Sequence, residues 1–265
     1  MHCFDNETNV TSTTAGSWQG MVSPEWNIGT NPNGGYLLSL ITNALSRELS
    51  HPDPLSITTH YLRPGIPGAE CSINVEILRI GKTVSNARAT LYQENKARLE
   101  VMAVFGDLSQ SVGIDTRIPM IPPKIPLPEH CVDRTGSLQG IELPIMNRLN
   151  VRLHPDQAKP GESEVPEISG WINFTDGREP DSRSLLLFCD AFPPSPFSFL
   201  GNVGWVPTVE LTVHVRQKPL PGWVLGQFRT SDLADGRMIE SGALWDSSGA
   251  LVAQSRQLGL ILNNN

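Results

Sequence analysis

Residues 207–216, PTVELTVHVR, alternate with a period of two: Val209, Leu211, Val213 and Val215 fall on one face, and Thr208, Glu210, Thr212, His214 and Arg216 on the other. The pattern predicts a strand with one face in a core and a carboxylate, Glu210, on the other face. Similar runs at Leu55 to Arg63, Cys71 to Arg79, Val84 to Gln93 and Ala97 to Gly106 predict an antiparallel meander, with the Pro and Gly of RPGIPG and the turn Glu94-Asn95-Lys96 as connections. A second meander is predicted from Pro207, with strands at Trp223 to Ser231, Met238 to Trp245 and Leu251 to Leu262; Val151, Leu153, Ile168 and Trp171 mark strand-like character before it.

Helical spacing is clearest in TNPNGGYLLSLITNALSREL, where Leu37, Leu40, Ile41, Ala44, Leu45 and Leu49 recur on one side, with Asn33 as the N-cap and Gly34-Gly35 allowing close backbone approach. A second helix is predicted to open at Asp181, run through SRSLLLFCDAF and stop at Pro193-Pro194. Residues 1–17 are polar and predict a loose arm, and the prolines of IPMIPPKIPLPEH predict an extended crossing segment.

Helix followed by meander occurs twice. Residues 54–107 and 207–260 align at a nearly constant offset, with Tyr92 over Trp245 and Gly106 over Gly259. On that alignment Glu210 stands over Ile57, Ser231 over Leu78 and Gln257 over Val104. A carboxylate, a hydroxyl and an amide thus replace three aliphatic residues in one copy, which points to one polar site built in the second half, against the plainer reading of surface drift.

Charge and composition narrow the field. Hydrophobic residues at 39% and charged residues at 18% describe an ordinary globular chain, and a net charge of -7 argues against a nucleic-acid partner. Cys3, Cys71, Cys131 and Cys189 are widely spaced without a metal-ligand pattern, so reduced thiols and no metal are expected. The N-terminus lacks the basic and apolar regions of a signal peptide, no apolar run is long enough to span a membrane, and no peroxisomal address ends the chain. The expectation is a cytoplasmic protein, and the glycosylation-like NVT and NFT are chance matches.

The two helix-plus-meander copies, NGGY at the first helix start, ELTVHVR opening the second meander and LVAQSRQLGLIL closing it resemble the acyl-CoA thioesterase II family over about Trp18 to Leu262. The resemblance implies an α+β fold, the double hotdog, in which two tandem units each wrap an antiparallel sheet around a long helix. Residues 1–107 would form the first hotdog with its flexible N-terminal arm, 108–140 a Pro-rich linker, and 141–265 the second hotdog carrying the polar site. By position in that family, Glu210, Ser231 and Gln257 would hold and activate the hydrolytic water. The best-known members carry Asp where Glu210 stands, and Thr230 competes with Ser231 for the hydroxyl role. Gly34, Gly35 and Tyr36 would bind substrate, with the N–H groups of Gly35 and Tyr36 at the positive end of the helix dipole facing the oxyanion; a simple helix cap is the alternative.

The implied activity is hydrolysis of an acyl-CoA, or of an acyl thioester on a carrier protein, by a carboxylate-activated water, without a cofactor, in lipid or polyketide metabolism. The alternative is a non-hydrolytic hotdog, acyl-binding or dehydratase- or cyclase-like, in a biosynthetic pathway. His60 and His214 are candidate bases without partners, and no GxSxG, P-loop or dinucleotide motif is present. Arg63, Arg79, Lys82 and Arg216 are candidates for coenzyme A phosphates or are solvated strand ends. Hotdog units of this kind often pair again, so a homo-oligomer is an open expectation.

Overall fold

A computed structural model of the chain describes residues 1–262 apart from 115, 117, 137–139 and 203. The omitted positions between 108 and 140 belong to the predicted linker, and the terminal residues 263–265 also lie outside the described residues. The N-terminal segment comprises α1 (Cys3–Glu7), β1 (Val10–Thr14), β2 (Ser17–Met21) and the short pair β3 (Asn27–Ile28) and β4 (Asn31–Pro32). The first unit continues with α2 (Gly34–Glu48), β5 (Asp53–Tyr61), β6 (Glu70–Ile80), β7 (Ser85–Gln93) and β8 (Lys96–Gly106). In the second half come β9 (Val132–Asp133), β10 (Leu149–Leu153), β11 (Glu167–Phe174), α3 (Ser184–Phe188) and α4 (Pro196–Leu200), then β12 (Thr208–Val215), β13 (Val224–Ala234), β14 (Arg237–Trp245) and β15 (Leu251–Leu260).

The N-terminal segment is not the loose arm its polarity predicts. Phe4 and Val10 are buried, and Phe4 packs against Trp26 and Phe174. Glu7 accepts hydrogen bonds from Arg148 and from the Trp26 indole, and Arg178 pairs with Asp5. A few buried anchors outweigh a polar average, because each is held by a partner from far along the chain.

Among the described residues, thirteen strands form one antiparallel sheet in the order β1-β2-β6-β7-β8-β5-β12-β15-β14-β13-β11-β10-β9, so the two meanders join edge to edge where β5 pairs with β12. Thr58 and Thr212 face each other at this join, their hydroxyls 3.0 Å apart. The sheet closes over α2, whose residues from Gly35 to Leu45 are all buried. Full burial of each large apolar side chain on that helix contributes about 1.5–3 kcal/mol. This is the double hotdog.

The second central helix is shorter than its periodicity predicts. Asp181 does cap the segment, its Oδ1 accepting the Ser184 N–H at 2.8 Å, but regular α-helix runs only from Ser184 to Phe188. At either end the bonds tighten to three-residue spacing, Leu186 N–H to Arg183 O and Asp190 N–H to Leu187 O. Gly35 of α2 crosses this segment closely: a Cβ there would lie 2.9 Å from the Leu187 Cα. The proline-rich crossing segment lies against the second half, where the indoles of Trp171 and Trp245 donate to Pro126 O and Met120 O.

Strand register corrects the repeat alignment. In the first half one transverse row reads Ile57, Ala103, Ala87, Ile77 across β5, β8, β7 and β6. The matching row in the second half reads Leu211, Gln257, Glu240, Thr230 across β12, β15, β14 and β13. Gln257 therefore stands over Ala103 rather than Val104, and Leu211, not Glu210, stands over Ile57. The turn between β14 and β15 is longer than the one between β7 and β8, which moves the offset of the last strand by one residue, and a one-residue slip turns every side chain to the opposite face of the sheet.

Candidate functional site

A cavity of about 370 Å³ lies where the start of α2 meets the second half of the sheet. Asn33, Gly34 and Leu37 contribute from α2, Tyr61 and Arg63 from the end of β5, and Thr208 and Val209 from β12. Phe228, Met238, Glu240 and Gln257 contribute from the second meander, and Arg134, Cys189, Asp190 and Phe192 from the connecting segments.

The row through β13, β14 and β15 supplies its polar wall. Glu240 is 3% exposed, and both its oxygens are engaged: Oε2 accepts the Ser195 N–H at 2.6 Å, and Oε1 accepts the Gln257 amide. Gln257 Oε1 in turn accepts from the Thr208 hydroxyl at 2.9 Å. Thr230 is buried beside Glu240, and its hydroxyl exchanges a hydrogen bond with Ser195 Oγ at 2.8 Å. Burial raises the Glu240 carboxyl pKa above its ordinary value, against the lowering effect of the Ser195 and Gln257 bonds.

A second carboxylate meets the helix start. Asp190 Oδ2 accepts the Gly35 N–H and the Asn33 side-chain amide, each at 2.8 Å. Oδ1 accepts no hydrogen bond among the described residues, and Asp190 keeps part of its surface open. Burial pushes its pKa up to about 6; Glu240 adds to the rise, while Gly35, Asn33 and Arg134 oppose it. Burial likewise lowers the Arg134 guanidinium to about 9. The Tyr61 hydroxyl is buried without a hydrogen-bond partner among the described residues, and its pKa is raised by burial and then by the neighbouring Asp190 and Glu210 charges.

Of the sequence-predicted trio, the fold brings only Gln257 to this cavity. Glu210 lies on the opposite face of β12 from Leu211 and Val213, where its carboxylate accepts from the Thr212 hydroxyl at 2.6 Å and stands across from His60. Ser231 is exposed in the bulge that separates Thr230 from Asp232 in β13, so the inward hydroxyl is that of Thr230. Of the predicted substrate-binding positions, only Gly34 lines the cavity. The Gly35 N–H is committed to Asp190 and the Tyr36 N–H to the Asn33 cap, and the Tyr36 hydroxyl donates to Glu7 O. The Gly34 N–H has no acceptor among the described residues, and a Cβ at Gly34 would lie 2.7 Å from the Tyr61 ring. His60 and His214 are exposed and outside the cavity; Arg63 lines it, while Arg79, Lys82 and Arg216 do not. Among the described residues no cluster of His, Cys, Asp or Glu could hold a metal ion, and no helix is long and apolar enough to cross a membrane.

Glu240 and Asp190 are the site residues that sequence reasoning missed. With the register corrected, Glu240 over Ala87 carries the same signal that singled out Gln257. Asp190 gives no such signal, since it follows an apolar helix and meets its partners only through the tertiary fold.

Known proteins share this architecture. Residues 22–106 match the model of the acyl-CoA thioesterase N-terminal domain, and residues 128–261 that of the acyl-CoA thioesterase C-terminal domain. A Thermobifida fusca YX protein described as a candidate thioesterase II is 30% identical, with a TM-score of 0.88 over 99% of this chain and 98% of that one. A hot dog protein of unknown function from Alicyclobacillus acidocaldarius is 23% identical, with a TM-score of 0.86 over the whole of both chains. An uncharacterized Mycobacterium tuberculosis protein is 23% identical, the match covering 92% of this chain and 90% of that one. With both halves matched by the two domains of one family, in order and nearly end to end, the chain belongs to the acyl-CoA thioesterase family.

Proposed function

We propose that the chain hydrolyses an acyl thioester, carried on coenzyme A or a carrier protein, in the cavity between the start of α2 and the second meander. The observation that carries this reading is the Glu240–Gln257 pair. Where the first half has Ala103 and Ala87, the second builds a carboxylate that fixes an amide on the wall of a partly apolar cavity. One Gln257 N–H is spent on Glu240 and its carbonyl oxygen on Thr208, which leaves the second N–H to hold a water. That water attacks the thioester carbonyl carbon, and the Gly34 N–H, at the positive end of the α2 dipole, receives the oxyanion. The departing thiolate resembles cysteine, with a pKa of about 8.5, and leaves without an obligatory general acid.

Thiol release from short, medium, long and aromatic acyl-CoAs tests the proposal. Wild-type protein is expected to release thiol from at least one, and Gln257→Ala to lower kcat/KM by about 100-fold, the usual effect of deleting one polar group that positions or stabilises the reacting atoms. Binding without release across the panel, measured by calorimetry, would point instead to the non-hydrolytic alternative.

A further inference from the structure

We infer that the Tyr61 phenol is a catalytic hydrogen-bond donor, which with the Gly34 N–H holds the carbonyl oxygen of the thioester as it becomes an oxyanion. The inference rests on the hydrolytic reading above, which leaves that oxygen with a single donor. Buried polar groups are normally paired within the protein, and each exception calls for a reason. Of the buried side-chain polar atoms that have no hydrogen-bond partner among the described residues, only the Tyr61 hydroxyl belongs to a residue of the cavity wall. Leaving a buried hydroxyl unpaired opposes folding. In a cavity that penalty is offset once a ligand brings the missing acceptor.

The position of the phenol follows from the strand that carries it. Ile57, Thr59 and Tyr61 share the inward face of β5, and Tyr61 ends the strand, so its ring reaches the start of α2. There its Cε1 and Cζ lie 2.7 and 3.0 Å from where a Gly34 Cβ would be. Only a glycine lets the ring come so near, and the hydroxyl, one bond beyond Cζ, stands at the same helix start as the Gly34 N–H. Burial, and after it the Asp190 and Glu210 charges, keep the phenol protonated, so it has a hydrogen to donate. Of the two polar atoms of a thioester, the sulfur is a weak acceptor and the carbonyl oxygen a strong one. As water adds to the carbonyl carbon, the π pair of the C=O bond moves onto that oxygen, and both hydrogen bonds strengthen with its charge. The proton stays on Tyr61 throughout. The pair then returns to re-form the carbonyl as the C–S bond breaks and the thiolate leaves. The balance is one thioester and one water to one carboxylic acid and one thiol.

The test is Tyr61→Phe, which removes one oxygen and keeps the ring against Gly34. For the best panel substrate, kcat is expected to fall about 100-fold with KM within about threefold of wild type, because the lost bond is strongest in the transition state. Thermal melts supply the second readout. The hydroxyl has no partner within the described protein, so the melting midpoint is expected to stay at or above that of wild type, whereas loss of a structural hydrogen bond would lower it. An active wild type whose Tyr61→Phe variant keeps its kcat overturns the assignment alone. So does a rise in KM with kcat unchanged, which would place the phenol on a part of the substrate that does not react. A wild type that releases no thiol from any substrate overturns the hydrolytic reading and the assignment together. Should Tyr61→Phe fail to fold, carbon-13 NMR of wild type labelled at tyrosine Cζ decides, with the ketone analogue of the best substrate, a methylene in place of its thioester sulfur, as the probe. The chain has three tyrosines, so Tyr36→Phe and Tyr92→Phe assign the signals by elimination. A shift of the Tyr61 signal on binding supports the role, and none overturns it.

Discussion

Asn33 does two things with one side chain. Its Oδ1 caps α2 by accepting the Tyr36 N–H, and its Nδ2 donates to Asp190, so the helix start and a carboxylate of the cavity wall are held by the same amide. Glu210, the more conspicuous residue in the sequence, has no such position. It shares the outer face of the join with Thr212, Thr58 and His60. Glu210→Ala and Ser231→Ala are therefore expected to keep kcat/KM within about twofold, since surface changes away from a network usually cost little. A loss of about a hundredfold in either, the size seen when a general base is removed, would return the chemistry to the outer face and sink the cavity assignment. Gln257 was legible because an amide in an apolar strand position is anomalous whichever register is used. Glu210 misled because the register was counted along the sequence: strand pairing puts Leu211, not Glu210, in the row of Gln257 and Glu240, and a slip of one residue turns a side chain to the other face.

At the scale of elements, sequence and structure agree where a single periodicity decides the outcome. The strands of both meanders and α2 fall where alternation and helical spacing place them, since each buries one continuous face. Agreement ends where tertiary contacts override a local average. The segment of α1 and β1 is ordered by Phe4, Val10 and Glu7, and the helix after Asp181 is cut short as its ends tighten. Gly35 shows the same dependence on a distant partner. In α2 alone, alanine would gain helix propensity of about 1 kcal/mol, but its Cβ would sit 2.9 Å from the Leu187 Cα and 3.0 Å from the Asp190 Cβ. The first contact is with backbone, which cannot rotate away. Gly35→Ala is expected to destabilise by about 1–3 kcal/mol, as overpacking does, and to lower kcat/KM by displacing the start of α2 that carries the Gly34 N–H. Urea unfolding at matched conditions measures the first effect; a variant as stable as wild type would show that the two central helices can move apart.

Across the whole molecule, the cavity is built at the expense of stability, and pH exposes that cost. The folded state holds the carboxyl of Asp190 at about 6 and that of Glu240 above its ordinary value, both chiefly through burial, so each binds its proton more tightly folded than unfolded. The stability linked to these protons is present below the unfolded carboxyl pKa of about 4 and is lost as pH rises through the folded values. Asp181 has the opposite sign. Its pKa is lowered, since Arg178 and Arg183 outweigh its burial, so its contribution is present above about pH 4 and lost in acid. Stability should therefore fall between about pH 4 and 6 through Asp190, with Glu240 adding a loss of the same sign, while acid unfolding proceeds from the Asp181 side. Asp190→Asn removes one of the two opposing groups near the cavity. Its denaturation midpoint, compared with that of wild type, should gain progressively from about pH 4 to 6 and hold a constant advantage above. A variant that gains nothing above pH 6 would mean that Asp190 ionises in the fold as easily as in water. The carboxylate would then carry no burial penalty, and the coupling between the cavity and the stability of the sheet around it would not exist.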